Sequence, residues 1–248
     1  MYAAGLTDKG QMREQNQDAI FIENNQIGPL PNLYIVADGM GGHQAGEVAS
    51  ENAIKSIEDY IRNFKVAEFV KPENFLDLLV TAVQDANKKV FEMSEQDPAM
   101  KGMGTTLIVC TVSDGKAMLA HVGDSRAYAV SKTQITQITE DHTYVEQMVQ
   151  TGKISEAEAT THPKRHVITR ALGVEGPLQV DGIVHPIGST ATLVLCTDGL
   201  SDMLDNNTIK TIVEGIGFAE HRAQFLIEEA NSRGGHDNIS AILIDLGR

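Results

Sequence analysis

The segment LYIVADGMGGHQAGEVAS, residues 33–50, contains the pattern from which the fold can be read. Its first five residues are all apolar, which predicts a buried strand, and Asp38-Gly39 ends that strand with a turn signal. From position 47 to position 64 the apolar residues recur at the spacing of an amphipathic helix. The segment therefore predicts a buried strand that ends in a carboxylate, followed by a helix.

An acidic residue at the end of an apolar strand recurs further along the chain. Asp124 follows the sequence MLAHVG, Asp198 follows TLVLCT, and Asp237 stands just before the last apolar run. A single Asp-Gly after a strand is usually only a turn. Strand ends of one sheet lie side by side, however, and carboxylates that converge there repel one another unless a cation neutralises them. Oxygen ligands suit Mg²⁺ or Mn²⁺ rather than Zn²⁺.

The other predicted elements come as runs of strands separated by paired helices. A Ser-Asp-Gly hairpin signal at 113–115 joins two of the strand patterns. This order favours mostly antiparallel sheets packed against helices over a doubly wound parallel sheet. Residues from about 141 to 172 contain few apolar side chains and predict a surface excursion. The predicted strands are 33–37, 105–112, 116–122, 127–130, 192–197 and 239–246, and the predicted helices are 47–64, 75–93, 206–216 and 219–233.

The charge and the cysteines argue against several classes of protein. Lys plus Arg is 20 and Asp plus Glu is 34, so the net charge is −14. This surplus argues against sequence-independent nucleic-acid binding and against docking on an anionic membrane. Cys110 and Cys196 lie within apolar runs, which predicts buried free thiols rather than a disulfide framework. Since the sequence has neither a signal-peptide pattern nor an apolar run of about 18 residues, we expect a cytoplasmic protein.

Several common catalytic signatures are not met by the sequence. A phosphate-binding P-loop requires Gly-Lys followed by Ser or Thr, and neither Gly-Lys pair of this chain has it. The glycines after Asp38 are not a dinucleotide fingerprint, because Gln44 stands where the third glycine is required. Residues 123–127, GDSRA, end in Ala where the serine-hydrolase elbow requires Gly.

Eight short motifs are spread over nearly the whole chain. They are residues 8–13 with 16–19, VADGMGGHQAGEVAS (36–50), GTT (104–106), HVGDSRAY (121–128), TEDH (139–142), ITRALG (168–173), LCTDGLSDML (195–204) and GGHDNISAILI (234–244). Through them the chain resembles the metal-dependent serine/threonine protein phosphatases of the type-2C family, in particular the bacterial members. Each motif is a weak signal alone, but the eight occur together and in the order of the family.

The resemblance implies both a fold and a reaction. The fold is α+β, a four-layer αββα sandwich in which helices flank two central antiparallel β-sheets. A single phosphatase domain would span residues 1–248, with a flap at about 141–172. The reaction is hydrolysis of phosphoserine or phosphothreonine in proteins by a water that bridges two metal ions, Mn²⁺ or Mg²⁺, without a covalent phosphoenzyme.

The resemblance also implies which residues hold the ions. Asp38 would bridge the two ions, and the carbonyl of Gly39 would bind one of them, since a glycine lets the backbone approach closely. Asp198 and Asp237 would complete the ligand set. Asp18 would lie near the centre and act through water.

Two further roles follow from the resemblance. Asp124 would hold a third ion together with Asp198, and the alternative for Asp124 is a turn or a salt bridge with Arg126. Arg13 would bind the phosphate, since a guanidinium offers two parallel donors and stays charged.

The proton donor to the leaving group is the point where this chain departs from animal members. Those members have a His directly after the Asp-Gly pair, where this chain has Met40. His43 is a candidate replacement as a catalytic acid, and the alternative is that it caps the next helix.

Phosphoproteins are the implied substrates, and a Ser/Thr protein kinase with its substrates is the implied partner. We expect a monomer, because no long apolar surface stripe is evident. Two alternatives remain open: a non-catalytic phosphoprotein-binding regulatory module of the same fold, and an unrelated two-metal hydrolase that acts on nucleotides or nucleic acid, although the net charge opposes nucleic acid. The basic residues 164–166 of the flap would attract acidic substrate segments or form a solvated loop.

Overall fold

Two antiparallel β-sheets lie face to face in the computed structural model, which describes residues 1–42, 44–64, 71–188 and 190–247. The strands are β1 (Tyr2–Asp8), β2 (Asp18–Glu23), β3 (Leu33–Met40), β4 (Gly104–Thr105), β5 (Leu107–Ser113), β6 (Lys116–Val122), β7 (Arg126–Val130), β8 (Ile135–Gln137), β9 (Asp181–Pro186), β10 (Thr192–Cys196) and β11 (Ile239–Asp245). The helices are α1 (Ala45–Arg62), α2 (Phe75–Gln96), α3 (Tyr144–Gln150), α4 (Glu156–Thr160), α5 (Asp198–Ser201), α6 (Asn206–Val213) and α7 (Ala219–Ser232), with short 3₁₀ turns at Pro72–Asn74 and Pro98–Met100.

Within each of the two sheets, the described neighbouring strands all pair antiparallel. The first sheet has the order β1-β11-β10-β7-β8. The second has the order β2-β3-β5-β6-β9, and the short strand β4 pairs with β3 beside it.

Three apolar clusters define four layers. Ile57 of α1 and Leu79 of α2 pack on the second sheet, and Leu226 of α7 packs on the first. The third cluster fills the space between the sheets and includes Ile108 and Ile242. Burying these side chains is the main stabilising contribution, at roughly 25 cal/mol per Å² of apolar surface. The predicted four-layer sandwich of helices and antiparallel sheets is confirmed.

The sequence predicted the inner strands and missed the outer ones. The predicted strand at 116–122 has the observed bounds, and the predicted helix at 75–93 is α2 with one further turn. The strands without a prediction, β1, β2, β8 and β9, are the four edges of the two sheets. Edge strands are less buried than inner strands, and β8 and β9 lack the continuous apolar run that marks a strand in a sequence. The edge strand β2 does carry such a run, AIFI at 19–22, and was missed despite it.

Several predicted boundaries differ from the observed ones by a few residues, and two of the differences have a local reason. The predicted strand at 105–112 is two strands, β4 and β5, which are separated by Thr106. The N–H of Thr106 donates to the Asp38 carbonyl at 2.9 Å. The predicted strand at 192–197 ends one residue earlier, at Cys196, since Thr197 is the N-cap of α5 and Asp198 is its first residue. Within the described ranges, no helix is both long and apolar enough to cross a bilayer.

Strand register brings acidic residues to one end of the sandwich. Asp18 at the start of β2 lies directly opposite Asp38 near the end of β3. Asp198 follows β10, and Asp237 precedes the adjacent strand β11. Asp124 occupies the connection between β6 and β7. These positions lie far apart in the chain and become neighbours only through the packing of the two sheets.

Candidate metal centre

A cavity of about 1050 Å³ opens at this end of the sandwich. Its wall includes Asp38, Gly39, Asp124, Asp198 and Asp237, together with Arg13 and Thr106. The predicted ligands therefore face one space, with the exception of Asp18, which lies beneath the cavity wall and is 8% exposed.

Asp38 is held at the end of β3 by two neighbouring threonines. Its carbonyl accepts hydrogen bonds from the Thr105 Oγ1 and the Thr106 N–H, each at 2.9 Å, and its own N–H donates to the Thr106 Oγ1 at 3.2 Å. Burial raises the pKa of the Asp38 carboxyl well above its usual range, and the carboxylates of Asp18 and Asp198 raise it further. The hydrogen bonds fix the backbone of Asp38, whereas burial and the neighbouring carboxylates disfavour the ionised form of its side chain.

Gly39 is required by a close approach between strand and helix. A Cβ at this position would lie 2.1 Å from the carbonyl oxygen of Gly46 in α1 and 2.6 Å from that of Gln17. No other residue fits that space, so the start of α1 packs directly against the end of β3. The Asp38-Gly39 pair therefore occupies a fixed position on the cavity wall.

Asp18 connects the two sheets below the cavity. Its Oδ2 accepts hydrogen bonds from the Thr197 Oγ1 at 2.9 Å and from the Ser240 Oγ at 2.7 Å; Ser240 is in β11 of the first sheet, and Thr197 directly follows β10 of that sheet. Its Oδ1 is buried without a hydrogen-bond partner among the described residues. Burial raises the pKa of Asp18 to about 7, although the two hydroxyl donors lower it in part.

Asp198 and Asp124 also have raised pKa values, because both carboxyl groups are buried near other carboxylates. Burial raises the pKa of Asp198 to about 6 and that of Asp124 to about 8, and the nearby carboxylates add to both shifts. The Oδ1 of Asp198 is a second buried oxygen with no hydrogen-bond partner in the described ranges. Arg126 does not form the salt bridge considered for Asp124, since its Nη2 binds Asp141 Oδ2 at 2.6 Å.

Asp237 is the member of the cluster that has a cationic partner. Its Oδ2 lies 2.6 Å from the Nη2 of Arg13, and both side chains are partly exposed, at 36% and 54%. This hydrogen bond raises the pKa of Arg13. Arg13 therefore lies on the cavity wall with a half-exposed side chain, and only its Nη2 donates a hydrogen bond to a described residue.

The donor set fits divalent cations that prefer oxygen ligands. Four carboxyl groups have raised pKa values because they are buried next to one another, and two buried oxygens have no hydrogen-bond partner among the described residues. A divalent cation removes both penalties at once, because it neutralises the repulsion and occupies the free oxygen lone pairs. All these donors are hard oxygens, which suit Mg²⁺ or Mn²⁺.

The predicted flap borders the same cavity. It contains α3 and α4, and its residues Arg165 and His166 line the wall. His166 Nδ1 lies 3.2 Å from the Oδ2 of Asp202, and donor atoms of His166, Asp198 and Asp202 all lie within 4.8 Å of one another. Lys164 stacks over the ring of Tyr144 at 5.2 Å, so the basic segment is partly engaged within the flap itself.

Some residues of the site were missed by sequence reasoning, and one prediction is outside the described structure. Asp202 was not singled out, although it follows Asp198 by four residues, the spacing that places two side chains on one helix face. Thr197 and Ser240 were missed because nothing local shows that they reach Asp18. His43 lies outside the described residues, so its role stays a prediction.

Comparisons with known proteins found similar chains over nearly the whole sequence. A family profile described as protein phosphatase 2C matches residues 9–243. The serine/threonine phosphatase stp of Listeria welshimeri is 38% identical over 247 residues, which cover 99% of this chain and 96% of that protein. The crystal structure of Stp1 from Staphylococcus aureus is 33% identical, with a TM-score of 0.91 and coverage of 99% and 95%. The structure of the PstP catalytic domain with two manganese ions is 32% identical, with a TM-score of 0.82 and coverage of 98% and 97%.

Proposed function

This chain belongs to the protein phosphatase 2C family and is a metal-dependent serine/threonine protein phosphatase, and we propose that its carboxylate cluster carries the reaction. The observation that supports this most directly is the set of buried carboxyl groups with raised pKa values around the cavity. Such a cluster is costly for a protein to maintain unless cations are bound there.

The family has a two-ion site, and we assign its ligands to this chain as follows. Asp38 and the Gly39 carbonyl hold ions at the end of β3, and Asp198 and Asp237 complete the set from the first sheet. Asp18 lies below them and stabilises the site through water. When bound, Mn²⁺ or Mg²⁺ supplies a nucleophilic water of lowered pKa and neutralises the charge of the phosphate.

Asp124 is the ligand that we assign to a third ion, shared with Asp198. Both line the cavity, and each raises the pKa of its neighbours through its charge. The pairing of Arg126 with Asp141 leaves the Asp124 carboxylate available for a cation.

Arg13 binds and orients the phosphoryl group in this proposal. Its guanidinium reaches the cavity rim and already binds the carboxylate of Asp237 with one nitrogen. The planar fork can then offer parallel donors to two phosphate oxygens, which fixes the phosphate relative to the metal ligands. His43 remains our candidate for the proton donor to the leaving alkoxide.

The substrates in this proposal are phosphoproteins, and the activity opposes a Ser/Thr protein kinase in the cytoplasm. The exposed rim of the cavity suits a phosphorylated side chain carried by a polypeptide, and the −14 charge disfavours nucleic acid. We propose that the protein acts as a monomer.

The test is hydrolysis of a phosphothreonine peptide and of p-nitrophenyl phosphate by the purified protein in Mn²⁺ and in chelator. We expect turnover only with the metal, and loss of turnover in Asp38→Ala and Asp237→Ala. Asp114→Asn is the matched control, because Asp114 is an exposed turn residue with φ of 48°, which Asn also tolerates. Full activity in chelator would contradict the metal assignment, and phosphopeptide binding without turnover in saturating Mn²⁺ would favour a non-catalytic module.

A further inference from the structure

A second cavity, of about 760 Å³, lies beside the metal centre. It shares Arg13, Gln17, Gly41 and Asn238 with the wall of the first cavity. Its other residues, which we call the lateral groove, include Glu14, Gln15, Gln44, Ala99, Met100 and Lys101. The two cavities therefore meet at the arginine that we assign to phosphate binding.

The lateral groove has the chemistry of a site for a polypeptide segment. The side-chain amides of Gln15 and Gln44 are exposed, and neither makes a hydrogen bond within the part of the chain that the structure describes. An amide has both a carbonyl acceptor and two N–H donors, so it can pair with either polar group of a peptide backbone. Ala99 and the half-buried Met100 add an apolar surface, and a methionine adapts to side chains of different shape.

Lys101 is the charged group that gives the groove a preference for acidic side chains. It is exposed and makes no ion pair with any residue in the described ranges, whereas Arg13 is already bound to Asp237. On a chain with a net charge of −14, an unpaired cation on the wall of the cavity that also contains Arg13 is a local attractive point for an acidic side chain. Among the described residues that line the groove, Glu14 is the single acidic one, and it is exposed as well.

We propose that the lateral groove binds the segment of a phosphoprotein substrate next to its phosphorylated residue, with Lys101 binding an acidic side chain of that segment. This proposal rests on the proposed function, because it places the phosphate at Arg13. An extended segment advances about 3.3 Å per residue, so a chain whose phosphate is held there enters the adjoining groove with its next few residues. The cavity volume lies within the range of about 300–1,000 Å³ that is usual for ligand sites.

The experiment compares substrates with and without flanking residues. The probes are p-nitrophenyl phosphate, a phosphothreonine peptide with Ala on both sides, and two peptides with Glu residues on only one side, either before or after the phosphothreonine. The variants are Lys101→Glu, which reverses the charge, and Ala99→Trp, which fills part of the groove from an exposed position. Lys132→Glu is the matched control, since Lys132 is exposed and lines neither cavity.

We expect Lys101→Glu to raise KM about three- to tenfold for one of the two acidic peptides, because an exposed attraction becomes a repulsion. The Ala peptide and p-nitrophenyl phosphate should keep their KM in this variant. Ala99→Trp should raise KM for all three peptides and leave p-nitrophenyl phosphate unchanged, and Lys132→Glu should change none of the four.

The proposal is overturned if both groove variants leave every peptide KM unchanged, or if they alter p-nitrophenyl phosphate as much as the peptides. An effect of Lys132→Glu equal to that of Lys101→Glu would also overturn it, because general charge would then explain the result. Failure of the wild-type protein to hydrolyse any of the probes would instead refute the proposed function, so the two failures are distinguishable.

Discussion

Replacing Asp18 by Asn should stabilise the metal-free protein and weaken its response to metal. Burial raises the pKa of Asp18 from 3.8 to about 7, so the folded state disfavours its ionised form by an energy on the order of a few kcal/mol. Asn keeps an oxygen for the Thr197 and Ser240 hydroxyls, and its amide N–H₂ replaces the unpartnered Oδ1. We expect the variant to gain about 2–4 kcal/mol at pH 8 in chelator.

The stability of the metal-free protein should also depend on pH, and the raised pKa of Asp18 gives the direction of the change. An acid whose pKa is raised on folding binds more protons in the folded state than in the unfolded state, so stability falls as pH rises between the two pKa values. The wild-type protein in chelator should therefore lose stability from about pH 4 to pH 7, and Asp18→Asn should lose less over the same interval. In excess Mn²⁺ the order should reverse, because only the wild-type protein retains the full carboxylate cluster around the ions.

Thermal unfolding in chelator and in Mn²⁺ at pH 5 and pH 8 measures both effects. For a chain of this length, 2–4 kcal/mol corresponds to a Tm shift of roughly 5–15 °C. Asp114→Asn controls for the loss of one surface charge, since Asp114 is exposed. A variant in chelator at pH 8 that is no more stable than the wild-type protein would refute the electrostatic account of Asp18.

Three further predictions concern the phosphate, the strand ends and the flap. Arg13→Lys keeps the charge but loses the guanidinium fork, so steady-state kinetics should show a KM about tenfold higher, with Arg13→Ala worse still. Gly199→Ala should destabilise the fold by about 3 kcal/mol or more in urea unfolding, because the added Cβ would lie 2.0 Å from the Asn238 carbonyl oxygen. The control variant Gly176→Ala should leave stability unchanged, because the space around Gly176 is open. His142→Ala should cost about 2–4 kcal/mol in the same assay, because the Nδ1 of His142 accepts the buried Gly123 N–H at 2.9 Å and its Nε2 pairs with Asp181 at 3.0 Å.

Much of the fold and part of the site could be predicted from the sequence, because the most buried strands and helices carry the clearest apolar patterns. The inner strands β3, β6 and β10 carry continuous apolar runs, and the long helices α1 and α2 carry an apolar face, so local patterns reveal them. The carboxylates at the ends of those strands were visible for the same reason. The edge strand β2 was not predicted, and Asp18 was assigned only because a family motif includes it.

The sequence alone determined which elements are buried and which acidic residues end them, because hydrophobic periodicity and turn signals are local properties of the chain. The tertiary structure alone decided that Asp18 lies opposite Asp38, that Thr197 and Ser240 reach it from the other sheet, and that Arg126 pairs with Asp141. It also placed the lateral groove beside Arg13. These features depend on strand register and on the packing of two sheets, which bring together residues such as Asp18 and Ser240, 222 positions apart in the chain, and no local pattern encodes such a distance.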